Sequence, residues 1–146
     1  MLYLLDTNVV SEARKPPERR DRHVHEWIET VAVDEAALSV ITLGEVLAGV
    51  IRVERRDPAQ GVRLRSWYLH HVVEAFGGRL LPVTRDIIEI EARLHVPDPR
   101  PKADALIAAT ALHHGLILVT RNVSDFVGTG VRLLNPWTGE SSGGIR

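Results

Sequence analysis

Five side chains able to ligate or polarise through oxygen stand at distinctive places in this sequence: Asp6, Glu45, Asp104, Asn122 and Asp125. Asp6 closes the apolar run Leu2-Tyr3-Leu4-Leu5 and is followed by Thr7 and Asn8. Glu45 begins a helical pattern just after the apolar run Ala36–Val40, and Asp104 opens the most hydrophobic helical stretch of the chain. Asn122 and Asp125 follow a further apolar run, Leu116–Val119. Most of the other acidic residues fall on faces that helical periodicity predicts to be exposed. Carboxylates gathered within a few ångströms repel, and at least one pKa rises unless a cation sits among them. Oxygen ligands without cysteine favour Mg²⁺ or Mn²⁺ over zinc. A hydrated ion of that kind can activate water and neutralise charge on a phosphodiester oxygen.

Each acid also has a purely structural reading. Asp6 can cap the helix that follows it, and Asp104 can complement a helix dipole. Glu45 can be the partner of Thr42 in a capping box, Thr42-Leu43-Gly44-Glu45. Taken together these readings weaken, because four independent caps need not all fall at strand ends.

The elements that would position the five residues follow from the hydrophobic pattern. Continuous apolar runs at Leu2–Leu5, Ala36–Val40, Leu80–Val83, Leu116–Val119 and Val131–Leu134 suit strands buried on both faces. Between them lie helical spacings: Val24, Trp27, Ile28 and Val31; Leu43, Val46, Leu47 and Val50; Ile87, Ile90 and Leu94. Asp57-Pro58 opens a helix expected to reach Phe76, where Gly77-Gly78 ends it. Pro97-Asp98-Pro99-Arg100-Pro101 is a rigid connector that a helix would not tolerate. Ala103–Leu112 is apolar nearly all round, the mark of a buried helix, with Gly115 placed to end it. At 100° per residue Glu45 falls opposite the apolar face of its helix, beside Ala48 and Gly49. Small residues there would let another backbone or subunit come close. Strands alternating with helices predict an α/β fold, a three-layer α/β/α sandwich around a mostly parallel five-stranded sheet. Such sheets bind ligands at the carboxyl ends of their strands, where the five residues converge.

Composition narrows the function classes. The 146 residues carry a formal charge of −1 and no cysteine, which excludes disulfides, thiolate nucleophiles and cysteine-ligated zinc. No apolar run is long enough to span a membrane, and the N-terminus lacks a signal pattern, so a cytoplasmic location is expected. The loop Arg14–Arg20 supplies a local basic patch for phosphates, or is simply solvated. His23/His25, His70/His71 and His113/His114 lack the i, i+4 spacing of a helical zinc pair.

Four ordered motifs carry a resemblance: Leu-Leu-Asp6-Thr7-Asn8, Ser39-x-x-Thr42-x-x-Glu45, Asp104-Ala-Leu-Ile-Ala-Ala-Thr and Thr120-Arg121-Asn122-x-x-Asp125-Phe126. They resemble the PIN-domain family, and within it the VapC/FitB-like toxins of toxin–antitoxin modules. Asn135-Pro136-Trp137 is similar to the FitB-like branch. The resemblance covers residues 1–137 as one PIN domain, and the Gly/Ser-rich residues 138–146 are expected to form a disordered tail. It implies a Mg²⁺- or Mn²⁺-dependent endoribonuclease, homodimeric, silenced by a VapB-like antitoxin, and in contact with DNA only through the antitoxin complex. Asp6, Glu45 and Asp104 match the family's three core acids. Asp125 is preferred as the fourth charge, and Asn122 as a neutral contact to substrate or to metal-bound water. All five are thereby read as catalytic, the four acids as metal ligands, and Thr7 and Asn8 as supports for the carboxylate rotamers. The alternatives are a catalytically silent RNA- or partner-binding PIN module acting through the antitoxin–DNA complex, and a metal-dependent phosphohydrolase not specific for RNA. Asn8 stands where the usual two-aspartate turn of such phosphohydrolases would place an acid.

Overall fold

Each apolar run becomes a strand, and the strands are re-ordered in space so that the first lies near the centre. In the computed structural model, which describes residues 1–142, the strands are β1 (Tyr3–Leu5), β2 (Ala36–Ser39), β3 (Leu80–Leu81), β4 (Ile117–Val119), β5 (Leu133–Leu134) and β6 (Ser141–Ser142). They form one sheet in the order β3-β2-β1-β4-β5-β6, parallel throughout except where β6 pairs antiparallel with β5. The helices are α1 (Thr7–Arg14), α2 (Arg22–Thr30), α3 (Val40–Arg56), α4 (Pro58–Trp67), α5 (Arg85–Leu94) and α6 (Lys102–His114).

Side-chain alternation along the strands feeds two cores, one on each face of the sheet. Leu4, Ala37, Leu118 and Leu133 pack with Ile107, Ala108 and Ala111 of α6. Leu38 packs on the other side with Val10, Val46, Val50 and Leu64. Seven consecutive residues of α6, Ala105–Ala111, are buried, which is why that helix carries no polar face along its middle. Gly115 ends it at φ +65°, in the left-handed region that glycine adopts at no steric cost.

Four sequence expectations are corrected. The sheet has six strands rather than five. Thr138 and Gly139 donate their backbone N–H groups to the Asn135 carbonyl, turning the chain back so that Ser141–Ser142 pairs with Leu133–Leu134. The expected disordered tail therefore contains an ordered turn and strand over 138–142, and residues 143–146 lie outside the described residues. The helix bearing Glu45 starts three residues earlier than a Thr42 cap requires. Ser39 caps it, its Oγ accepting from the Ile41 N–H at 3.0 Å, while Thr42 is buried inside the first turns. Finally, no other part of the described chain comes within 4 Å of a Cβ placed at Gly44 or Gly49. The close approach occurs at Gly61 of α4, where a Cβ would stand 2.6 Å from the Glu54 Cα of α3.

The third strand also stops at Leu81, short of the predicted Val83. It is the sheet edge, and Pro82 has no N–H with which to extend the ladder. Asp57 serves as the C-cap of α3 and the N-cap of α4, accepting from the Gln60 N–H at 3.3 Å. Beyond α4 the predicted helix continues in π-helical form over Tyr68–Glu74.

Candidate active site

Asp6 leaves β1 and caps α1 in one step. Its backbone N–H continues the sheet ladder to the Val119 carbonyl at 2.9 Å. One carboxylate oxygen, Oδ1, accepts from the Thr7 N–H at 2.8 Å. The other, Oδ2, accepts from the Thr120 hydroxyl at 2.8 Å and, at the longer 3.5 Å, from the Asn8 amide. The capping reading of Asp6 is thus correct, and it coexists with a place at the strand-end crevice.

Thr120 is the hub that sequence reasoning left out of the site. It follows β4, is fully buried, and its hydroxyl makes three hydrogen bonds. It donates to Asp6 Oδ2 and accepts from Asn8 Nδ2 at 3.3 Å and from the Asn122 N–H at 3.0 Å. Asn8 spans the same two segments, since its Oδ1 accepts from the Arg121 N–H at 3.1 Å. The two strand ends β1 and β4 are therefore tied together by the side chains of Asp6, Asn8 and Thr120 as well as by the ladder. A threonine directly after a buried strand was the available signal, because a buried hydroxyl must find partners.

Glu45 projects from α3 on the side away from buried Val46 and Val50, as its helical phase predicts. Its Oε1 accepts from the Thr7 hydroxyl at 2.9 Å, so it reaches across to α1 and makes no capping box with Thr42. Thr7 and Asn8 thus hold the carboxylates of Glu45 and Asp6, in keeping with the supporting role given to them. Asn122 precedes a short 3₁₀ turn, Val123–Phe126, and its carbonyl accepts from the Asp125 N–H at 3.1 Å. That turn brings Asp125 round toward the acids, while Phe126 plugs into the core at 2% exposure.

Asp104, in the first turn of α6, reports how close the four acids come. Burial raises its carboxyl above the usual aspartate range, and the charges of Asp6, Asp125 and Glu45 raise it further. Like charges from four separate chain segments thus face one crevice. Among the described residues no three Asp, Glu or His side chains close around a single point. A magnesium-like ion keeps several waters and needs only one or two direct carboxylates, so it does not require three to close on one point. The donors are all oxygen and carry net negative charge, the set a hard divalent cation takes.

Two further buried acids, Glu12 and Glu91, are not singled out by the sequence pattern. Glu12 accepts from the Asp21 N–H at 3.0 Å and pairs with Lys15 at 3.0 Å. Glu91, only 2% exposed, is met by His95 Nε2 at 2.5 Å and Lys102 Nζ at 2.7 Å. Burial pushes the Glu91 carboxyl up, but hydrogen bonds and charge from Lys102 and His95 prevail and hold it below the usual range. Both acids brace helices, and neither acts at the crevice. Conversely Glu45 and Asp125 are exposed.

A groove leads from Glu45 between α1 and α3. Thr7, Glu45 and Ser11 line its near end and Arg14 its far end. Arg14, Leu64 and Trp67 are shared with an adjoining cavity whose wall includes Lys15, Arg19 and Arg63. Glu45 at one end and cations along the other is a charge distribution suited to an anionic chain.

Comparison with known proteins places this geometry. The model of the PIN domain family matches residues 3–126. The VapC ribonuclease Y4jK of Sinorhizobium fredii is 35% identical over 144 residues, covering 93% of this chain and 98% of that protein. The toxin FitB of Neisseria gonorrhoeae is 30% identical over 143 residues, covering 93% and 99%. A solved structure of FitAB bound to an IR36 DNA fragment superposes with a TM-score of 0.85 at 29% identity, covering 93% of this chain and 96% of that one.

Proposed function

This chain belongs to the PIN-domain family, and from that premise we propose that it is the toxin of a toxin–antitoxin module, an endoribonuclease that hydrolyses RNA phosphodiester bonds with Mg²⁺ or Mn²⁺. The observation that carries the reading is that Thr7 meets the carboxylates of both Asp6 and Glu45, and that Asp104 feels the charge of Asp6, Asp125 and Glu45 from three other chain segments. The ribonuclease and toxin names of the relatives supply its direction.

Asp6 and Asp104 would hold the divalent ion most directly, with Glu45 and Asp125 completing the negative charge. When bound, the ion supplies neutralisation of that charge and of a phosphodiester oxygen, and lowers the cost of deprotonating water. The remaining work falls to this chain's own groups. Thr120 and the Thr7 N–H fix both oxygens of Asp6, so its rotamer is set before any ligand arrives. The Thr7 hydroxyl fixes one oxygen of Glu45, leaving that side chain to orient the attacking water. Attack in line at phosphorus breaks the bond to the 3′ oxygen and leaves 5′-phosphate and 3′-hydroxyl ends. Asn122, a neutral amide beside the acids, contacts substrate or water without adding charge. The basic groove from Arg14 to Arg63 tracks the phosphates leading to the site.

The protein works as a homodimer in this reading and is silenced by a VapB-like antitoxin, DNA being reached only through that complex. The DNA-bound FitAB relative supports the last point. No helix of the described residues is long and apolar enough to cross a membrane, and the toxin acts in the cytoplasm. The test is cleavage of single-stranded RNA by the purified, antitoxin-free protein with Mg²⁺ or Mn²⁺, against the same reaction in chelator. Activity lost in chelator and in Asp104→Asn supports the proposal. Undiminished cleavage by Asp104→Asn refutes it.

A further inference from the structure

The Asn135-Pro136-Trp137 motif plays no part in the chemistry above, yet it stands at the same edge of the sheet. β4 and β5 are parallel neighbours with Val119 in register with Leu134, so Thr120 and Asn135 leave the sheet side by side. Asn135 is buried and joins the two exits. Its side-chain amide donates to the Arg121 carbonyl at 3.3 Å, and its Oδ1 accepts from the Trp137 N–H at 2.9 Å. The Arg121 guanidinium carbon then lies 5.3 Å from the centroid of the Trp137 ring. On the other side, the Arg121 N–H is held by Asn8, which reaches Asp6 through Thr120.

A cation over an aromatic ring at an exposed site contributes only about 0.5–1 kcal/mol, little reward for ordering a long side chain. None of the ion pairs among the described residues involves Arg121. What the arrangement does provide is a flat cationic surface, backed by an indole, about two strand spacings or roughly 10 Å from the strand of Asp6. Single-stranded RNA is gripped in this way, by stacking splayed bases on aromatic rings and arginine planes.

We propose that Arg121, set over the Trp137 ring, is the binding platform for a base flanking the scissile phosphate of single-stranded RNA. The proposal rests on the ribonuclease reading for the identity of its ligand. Arg121 touches the base. Trp137 and Asn135 are positioning residues that act through it.

Binding is the primary readout, measured by fluorescence anisotropy of a short labelled single-stranded RNA of mixed sequence, in the Asp104→Asn protein so that no cleavage intervenes. Removing one stacked base weakens binding roughly 5- to 150-fold, and Arg121→Ala is expected to fall in that range. Arg121→Lys keeps the charge and loses the plane, so it recovers little of the loss. Trp137→Phe retains a ring and most of the affinity, whereas Trp137→Ala loses it. Arg121 is exposed, so its variants remain informative if Trp137→Ala fails to fold. Binding to a blunt RNA duplex, whose bases are not available for stacking, should barely change in Arg121→Ala. Wild-type-like RNA binding by Arg121→Ala or by Arg121→Lys overturns the platform, as does a wild type that binds no RNA. Cleavage is scored separately. If the wild type cleaves RNA and Arg121→Ala binds normally, the platform fails and the nuclease reading stands. If the wild type binds through Arg121 but never cleaves, the nuclease reading fails and the platform stands.

Discussion

Replacing Thr120 by valine tests whether the carboxylates are held by the buried hydroxyl beneath them. Valine matches threonine in shape, so the change deletes an oxygen and opens no cavity. The side chain has no solvent access, and water cannot take over the lost bonds. Asp6 Oδ2 loses its 2.8 Å donor, and the Asn122 N–H loses its 3.0 Å acceptor. The third contact, from Asn8 at 3.3 Å, is longer and belongs to a half-buried amide, so it adds little. Asp6 Oδ2, on a buried residue, costs about 1–3 kcal/mol when left without its donor, and the Asn122 N–H, on an exposed residue, about 1 kcal/mol, giving a total of about 2–4 kcal/mol. Unfolding entropy of about 2.1 cal/mol/K per residue over this chain amounts to about 0.3 kcal/mol/K, so Tm should fall by about 7–13 °C. Losing the support of a ligating carboxylate should also weaken Mg²⁺ or Mn²⁺ binding by about 10- to 100-fold. Calorimetry gives Tm in chelator, and the shift of Tm with added ion gives affinity. Thr120→Ser, which keeps the hydroxyl, should lie close to the wild type in both. A Thr120→Val protein that melts with the wild type and binds the ion equally well refutes the account of how Asp6 is held.

Asp104→Asn should abolish RNA cleavage while raising the Tm of the metal-free protein at neutral pH. Burial and the three neighbouring acids lift the folded-state pKa of Asp104, so its stabilising share is complete only in acid and is lost as pH rises through that value. The Tm advantage of the asparagine variant should accordingly grow from pH 4 to pH 7, and a constant gap would contradict the electrostatic cause. Glu91→Ala should cost about 3 kcal/mol in urea unfolding, the low end for a buried pair losing one partner, because the Lys102 side chain is 69% exposed. Its folded pKa is depressed, so the penalty should be full at neutral pH and shrink as the solution is acidified below the ordinary glutamate value. Gly61→Ala should destabilise by about 1–3 kcal/mol, by forcing α4 off the α3 backbone. Gly49→Ala, with open space about its position, should be neutral or slightly stabilising in the isolated protein.

The sequence by itself determined the α/β class and five of the six strands, and it singled out the acids proposed for the site. Those features are local: an apolar run too short for a helix, a 3.6-residue period, a carboxylate where the run stops. Ala103–Leu112 read as a buried helix because it has no polar face, and α6 fills the space between the sheet and α5. Only the tertiary structure decided which polar groups meet. Thr120 and Asp6 are separated by 114 positions in the chain and joined by one hydrogen bond, which no local pattern encodes. The same holds for Glu91, buried where Lys102 and His95 converge on it. Thr42 was misread as a cap because the capping pattern is satisfied by residue type alone, whereas Ser39 holds the position at which the backbone turns. The sixth strand escaped because a Gly/Ser-rich segment has little strand propensity of its own. It is ordered by the turn at Asn135 and by the free edge that β5 offers. Residue types set what chemistry the chain can perform, and contacts between distant segments set where those residues stand.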